Sequence, residues 1–147
     1  AMNTGMRRGE LLGLRWEDVN LPARLVKVTA GNAKSRKARH IPLNAEAHEV
    51  LSRWLGESAG VGLVFPSPKT GRRMGNIDNS WEALCTAAGI DAFRFHDLRH
   101  TFASRLVMAG VDLNTVRELL GHSDIRMTLR YAHLAPDKLA EAVNRIG

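Results

Sequence analysis

The stretch Leu119–Leu134, LLGHSDIRMTLRYAHL, carries the chain's single tyrosine, Tyr131, nine residues after His122, with Arg126 and Arg130 between them. Gly121 is placed to close a helix that Asp112 caps, and Ser123 to cap another running through about Ala132. Helices this short, joined by loops this short, have to pack on one another. The stretch therefore predicts a helical last third. It also poses a chemical question, because Tyr131 reads either as a core ring with a satisfied hydroxyl or as a phenol set among cations for nucleophilic use.

Working outward, Leu98, Phe102 and Leu106 recur at i, i+4, i+8 up to Gly110, and Pro136 opens a last helix, PDKLAEAVNRI, with Leu139, Ala142, Val143 and Ile146 on one face. Upstream, Ile77, Trp81, Leu84, Cys85 and Ala88 form one stripe before Gly89 and are expected in the core. Residues 60–76, GVGLVFPSPKTGRRMGN, have the Gly and Pro density of a surface loop and carry Lys69, Arg72 and Arg73. Asn44 is placed to cap a helix with Ala47, Val50, Leu51, Trp54 and Leu55 on one face and Gly56 as its stop. LVKVT (Leu25–Thr29) and RHIPL (Arg39–Leu43) alternate like strands and pair as a hairpin around AGNAKSRKA, after a first helix from about Met6 to Leu12. The expected fold is mainly α with a small antiparallel β-sheet, an α+β domain over residues 1–147. A helix this close to the first residue leads us to expect that upstream elements are missing.

Composition narrows the function. The 147 residues suffice for one domain with a substantial core. Lys plus Arg number 21 against 15 Asp plus Glu, a net charge of +6 that favours polyanionic partners. One cysteine, Cys85, excludes an internal disulfide, and neither a zinc-type Cys/His spacing nor an apolar run near 18 residues is present, so a reducing, cytoplasmic setting away from membranes is expected.

In FRFHDLRHTFAS (93–104), His96 and Arg99 sit at i, i+3 and share one face of a helix start. Taken alone the pair suits a solvated helix end. His100, four residues after His96, invites a metal reading, but no Glu follows the first histidine as a zincin requires. The joint occurrence of NTGMRRGELLGLRWEDV, a lysine in a basic hairpin turn, HDLRHTFAS and LLGHSDIRMTLRYAHL, in that order and spacing, closely resembles the catalytic domain of tyrosine recombinases, the phage-integrase family. The resemblance runs over nearly the whole chain. It makes Arg7 the first catalytic arginine, with Glu10 as its supporting companion, and Arg8 an ordinary neighbour. It assigns the lysine to Lys34, five residues before Arg39, with Lys37 as the fallback. His96 and Arg99 match the His-x-x-Arg box, His122 the Leu-Gly-His element, and Tyr131 the nucleophile position.

The resemblance implies site-specific DNA recombination through a 3′-phosphotyrosyl intermediate, on double-stranded DNA, by protomers that assemble as a tetramer on paired sites. It implies no metal and no cofactor. It also implies a core-binding domain that this stretch of sequence lacks and a bacterial or phage-encoded, nucleoid-associated setting, and it leaves two places for the tail helix, packed on its own domain or exchanged between protomers. The chemistry explains the gathering. Arginine forks suit the equatorial oxygens of a phosphodiester under attack, and guanidinium charges favour a phenolate whose proton His96 would take. Lys34 would protonate the leaving 5′-oxygen, His122 would donate to a non-bridging oxygen, and Glu10 would orient Arg7. Arg36, Lys37, Arg39, Arg72 and Arg73 are expected to hold backbone phosphates. Two rivals remain: a helix-turn-helix regulator built on DLNTVRELLGHSDIRMTLRY, which binds DNA without cutting it, and a type IB topoisomerase-like enzyme. The first leaves Arg7, His96 and Arg99 unexplained. The phrases HDLRHTFAS and LLGH favour the recombinase over the second.

Overall fold

The computed structural model describes residues 1–29, 38–137, 143–144 and 146. Its elements run α1 (Arg8–Leu12), a 3₁₀ turn (Trp16–Asp18), β1 (Val19–Asn20), β2 (Leu25–Val28), β3 (Arg39–Pro42), α2 (Ala45–Glu57), α3 (Asp78–Ala87), α4 (Asp97–Met108), α5 (Leu113–Leu120), α6 (Arg126–Leu129) and a second 3₁₀ turn (Ala132–Leu134). This is the expected mainly α fold with one small antiparallel sheet, ordered β1-β2-β3. The expected hairpin turn with Lys34, Arg36 and Lys37 lies outside the described residues, as do Leu139 and Ala142 of the expected tail helix. Val143 and Ile146, from the same tail stripe, are exposed. No helix among the described residues is long and apolar enough to cross a membrane.

Two apolar clusters divide the chain. In the first, period-two alternation puts Val26 and Val28 of β2 on one face, Val26 pairs in register with Ile41 of β3, and Met6, Leu14, Trp16, Leu43, Leu51 and Val64 close around them. α2 lies over this face: the Asn44 side chain accepts from the Ala47 amide at 2.9 Å and the Trp54 indole donates to the Val64 carbonyl at 2.6 Å. The second cluster joins Ala103 and Val107 of α4 to Val116 and Leu120 of α5 and to Tyr131. Asp112 caps α5 by accepting from the amides of Asn114 and Thr115, and Gly121 ends it in the left-handed region at φ 63°.

Several local expectations are corrected by packing. α2 continues through Gly56 to Glu57, since glycine only weakens an exposed helix end and does not stop it. Val64, expected in a surface loop, is fully buried because Leu63 bridges to Arg15 and draws the segment over the sheet. The α3 stripe is not core: Cys85 alone is buried, while Leu84 and Ala88 are exposed. That helix packs on its own return segment, where Trp81 donates to the Phe93 carbonyl at 2.8 Å and stacks edge-on against Phe95, and it joins neither cluster. α4 buries Arg99, Ala103 and Val107, with Phe102 and Leu106 only partly covered. The helix expected from Ser123 to about Ala132 is only α6, four residues started by Asp124 accepting from the Arg126 amide.

Gly5 joins the two clusters. It sits at φ +61°, and a Cβ there would stand 2.5 Å from Phe102 Cδ1 and 2.8 Å from its Cε1. Gly5→Ala therefore combines left-handed strain with overpacking and is expected to cost about 2–4 kcal/mol, read as a lower urea midpoint at unchanged slope; an unaltered midpoint would contradict the close approach.

Candidate active site

Glu10 is the centre of the site's electrostatics. Its side chain is 1% exposed, on the buried face of α1. One oxygen accepts from the Arg7 amide at 2.9 Å and the other from Arg7 Nη1 at 3.0 Å, so the same carboxylate caps α1 and steers the Arg7 side chain. From β3, Arg39 grips both oxygens through Nη1 and Nη2 at 3.0 and 2.8 Å and donates from Nε to the Leu119 carbonyl at 3.1 Å. Burial acts to raise the Glu10 pKa, but the Arg39 hydrogen bonds, the Arg7 amide and the two guanidinium charges outweigh it and hold the group ionised. Arg39 is thus a brace between sheet and α5. That corrects its expected place among the backbone-phosphate contacts, because three of its donors are engaged inside the protein. Gly121 makes room for it: a Cβ there would meet Arg39 Cδ and Nη1 at 3.0 Å.

Arg99, in the first turn of α4, is buried to 3% exposure. Nη1 donates to the Gly5 carbonyl at 2.5 Å and Nη2 to the Leu120 carbonyl at 2.6 Å, the first in the N-terminal segment and the second at the end of α5. Two of its five donors are committed to these bonds, leaving the rest of the fork for a ligand. Burial, then the Arg7 charge, lowers its pKa to about 10, so it remains cationic at neutral pH.

An open cleft of about 420 Å³ is lined by Arg7, His96, Arg99, Gly121, His122, Ser123 and Met127. Four of the six residues expected to be catalytic converge there from three separate parts of the chain. Around it stand three guanidinium groups, those of Arg7, Arg39 and Arg99, against one carboxylate, so the cleft favours an anion. His122 enters at the α5–α6 turn, where its Nδ1 lies 2.9 Å from the buried Thr128 hydroxyl. Burial and the charges of Arg99, Arg7 and Arg39 push its pKa down to about 4, which keeps the ring neutral at pH 7. With the Thr128 hydroxyl as donor, the ring's hydrogen sits on Nε2, available to a ligand.

Tyr131 is not among the cleft-lining residues. It is 6% exposed and packs with the second cluster. Its hydroxyl lies 2.5 Å from His100 Nδ1, and the His100 ring stands edge-on to His96, with centroids 5.0 Å apart. Burial raises the phenol's pKa against the opposing charges of Arg130 and Arg99, so the expectation that arginines favour the phenolate gives way to desolvation here. In the sequence His100 suggests only a metal reading. Its spacing from His96 was the available signal, but periodicity cannot say which of two histidines meets a tyrosine 31 residues away. Of the remaining expected DNA contacts, Arg72 is exposed, whereas Arg73 is exposed but donates to the Gly9 carbonyl at 2.6 Å. Lys34, Arg36 and Lys37 lie outside the described residues. The helix-turn-helix alternative is not favoured: α6 has only four residues, and its turn feeds the cleft.

Comparison with known proteins shows the family and the fold. A family model described as the phage integrase family matches residues 1–138. The chain is 35% identical over 156 residues to the integrase of Salmonella phage P22, covering 99% of this chain and 40% of that protein. It is 37% identical over 144 residues to the tyrosine recombinase XerC of Corynebacterium efficiens, covering 95% and 46%. It therefore spans less than half the length of either relative. Among solved structures, the XerH site-specific recombinase bound to its difH substrate, in a pre-cleavage complex, superposes with a TM-score of 0.75 at 28% identity, over 97% of this chain and 43% of that one.

Two outcomes follow from the site's electrostatics. Glu10→Ala leaves Arg7 and Arg39 without their shared buried counter-ion and should cost about 3–5 kcal/mol, measured by urea unfolding; a loss under about 1 kcal/mol would show that solvent already screens the cluster. Between about pH 6.5 and pH 4 the unfolded chain takes up a proton on the His122 imidazole that the folded chain resists, so stability falls as pH falls through that window. His122→Gln should flatten part of that slope in a series of melting temperatures, and an identical slope in the variant would sink the assignment.

Proposed function

Because the chain belongs to the phage integrase family, we propose that residues 1–147 form the DNA-cleaving and rejoining domain of a site-specific recombinase, acting on double-stranded DNA with other protomers of the same protein. The observation that carries this reading is the convergence of Arg7, His96, Arg99 and His122 on one cleft, with Tyr131 linked to its edge through His100. Only a ligand of concentrated negative charge gives reason to gather those groups.

In this reading a scissile phosphate occupies the cleft. Arg7 and the free part of the Arg99 fork hold its non-bridging oxygens and oppose the charge that builds during attack. His122, neutral over the working pH range, donates from Nε2 to one of those oxygens, and His96, exposed at the start of α4, donates or passes a proton beside it. The Tyr131 oxygen attacks phosphorus, the bond to the 5′-oxygen breaks, and that oxygen takes a proton from Lys34 as general acid. The product is a 3′-phosphotyrosyl link, which keeps the energy of the broken bond, so a 5′-hydroxyl can reseal the strand without ATP. Arg36, Lys37, Arg72 and Arg73 would hold flanking phosphates. The cations of this mechanism are side chains, so no metal is required. The setting would be the nucleoid of a bacterial or phage-infected cell.

A pool of randomised duplexes with a 5′-bridging phosphorothiolate tests the reading, since the departing thiol cannot reseal the strand and covalent adducts accumulate. Selection at low salt, then denaturing electrophoresis in excess EDTA, should give an adduct with the chain. Tyr131→Phe should bind the selected duplex and give none, and Arg99→Lys should slow the adduct about 10²–10³-fold. An adduct in the phenylalanine variant, or dependence on added divalent ions, would refute the assignment.

A further inference from the structure

We propose that His100 is a catalytic residue of this site, the group that takes the Tyr131 proton during strand cleavage and returns it during rejoining. The inference rests on the reading of Tyr131 as nucleophile and assigns a step that the sequence had given to His96.

Geometry divides the two histidines. Among the described residues, the Tyr131 hydroxyl makes its side-chain hydrogen bond to His100 Nδ1, at 2.5 Å, and none to His96. His96 lines the cleft and His100 does not. The rings meet edge to face, His96 on the cleft side and His100 on the tyrosine side. Tyr131 is 6% exposed and burial raises its pKa, so the hydroxyl keeps its proton; in the proposed step it donates, His100 Nδ1 accepts, and the ring's hydrogen lies on Nε2. The groups facing His100 are Asp97, Arg94, Arg99 and His96 from α4 and its start, and Arg130 after α6; burial first, then Arg130, disfavours the imidazolium. The lone pair is therefore present at neutral pH.

The step balances without further reagents. As the phenolic oxygen bonds to phosphorus, its proton passes to His100 Nδ1. The P–O5′ bond breaks and the 5′-oxygen takes its proton from the general acid. In rejoining, the attacking 5′-hydroxyl gives its proton back to the deprotonated general acid, and the departing tyrosine recovers its own from the His100 imidazolium. His96 is then left to donate to the phosphate, and one turn of α4 supplies two histidines with separate duties.

The chain has one tyrosine, so incorporating 3-fluorotyrosine places a single ¹⁹F reporter at position 131. Its resonance should titrate with an imidazole between pH 4.5 and 8, and the titration should vanish in His100→Asn, which keeps an acceptor oxygen near the Nδ1 position but cannot take a proton. Adduct formation on the selected phosphorothiolate duplex should fall about a hundredfold in His100→Asn and His100→Gln, with loss of the acid limb of the pH–rate profile, which His96→Asn should retain. The thiol leaving group needs little help from an acid, so the leaving-group substitution should not rescue the His100 variants. Rates within threefold of the parent and an unchanged pH profile in His100→Asn would overturn the proposal while Tyr131→Phe still gave no adduct; an adduct in Tyr131→Phe would instead remove the reading beneath it. Should neither His100 variant fold, a wild-type ¹⁹F resonance flat across that pH range would overturn it alone.

Discussion

The Glu10 carboxylate is the counter-ion on which the site depends. Arg7, Arg39 and Arg99 come from α1's edge, β3 and α4, and bringing three like charges into partly buried positions would be strongly unfavourable without it. Glu10 caps α1, holds Arg7 at the cleft, and through Arg39 ties the sheet to the end of α5. Arg99 completes the arrangement with neutral partners, bonding a carbonyl on each side of the gap between the two apolar clusters. The cleft is the place where the two clusters meet, and its cations are also the bonds that hold them together. Positioning and stability are carried by the same groups.

That field explains the protonation states around the cleft. The arginines and partial burial hold His122 neutral, so it offers a donor without adding a fourth positive charge. Burial keeps the Tyr131 phenol protonated and His100 unprotonated, which is the pairing a proton donor and acceptor require. A phosphate entering the cleft would bring negative charge close to these imidazoles and ease their protonation, so the same residues can take up protons as the reaction proceeds.

Where the fold departs from local pattern, the departures share a cause. The α3 stripe of Trp81, Leu84, Cys85 and Ala88 has helical periodicity, yet periodicity states only which residues share a face, and that face meets one short return segment. In sequence Arg39 looks like Arg36, Lys37, Arg72 and Arg73, a phosphate contact, because a basic side chain there has no marked partner. Its carboxylate is 29 residues away, and only folding brings Glu10 across from it. The Gly and Pro content of its neighbours places Val64 in a surface loop, yet the bridge between Leu63 and Arg15 draws it into the core.

By itself the sequence determined the fold class, the capped starts of α2 and α5, the glycine that ends α5, and the set Arg7, Glu10, His96, Arg99, His122 and Tyr131 as residues to watch. Caps, alternation and motif spacing are properties of neighbouring residues, and these can be read without knowing what lies opposite. Tertiary structure alone decided that Arg39 braces Glu10, that Arg99 is shared between the carbonyls of Gly5 and Leu120, and that His100 meets the tyrosine. Those roles depend on distance and burial across 21 to 94 residues of chain, because the strength of a charge or a hydrogen bond is set by the partner and the dielectric it finds after packing.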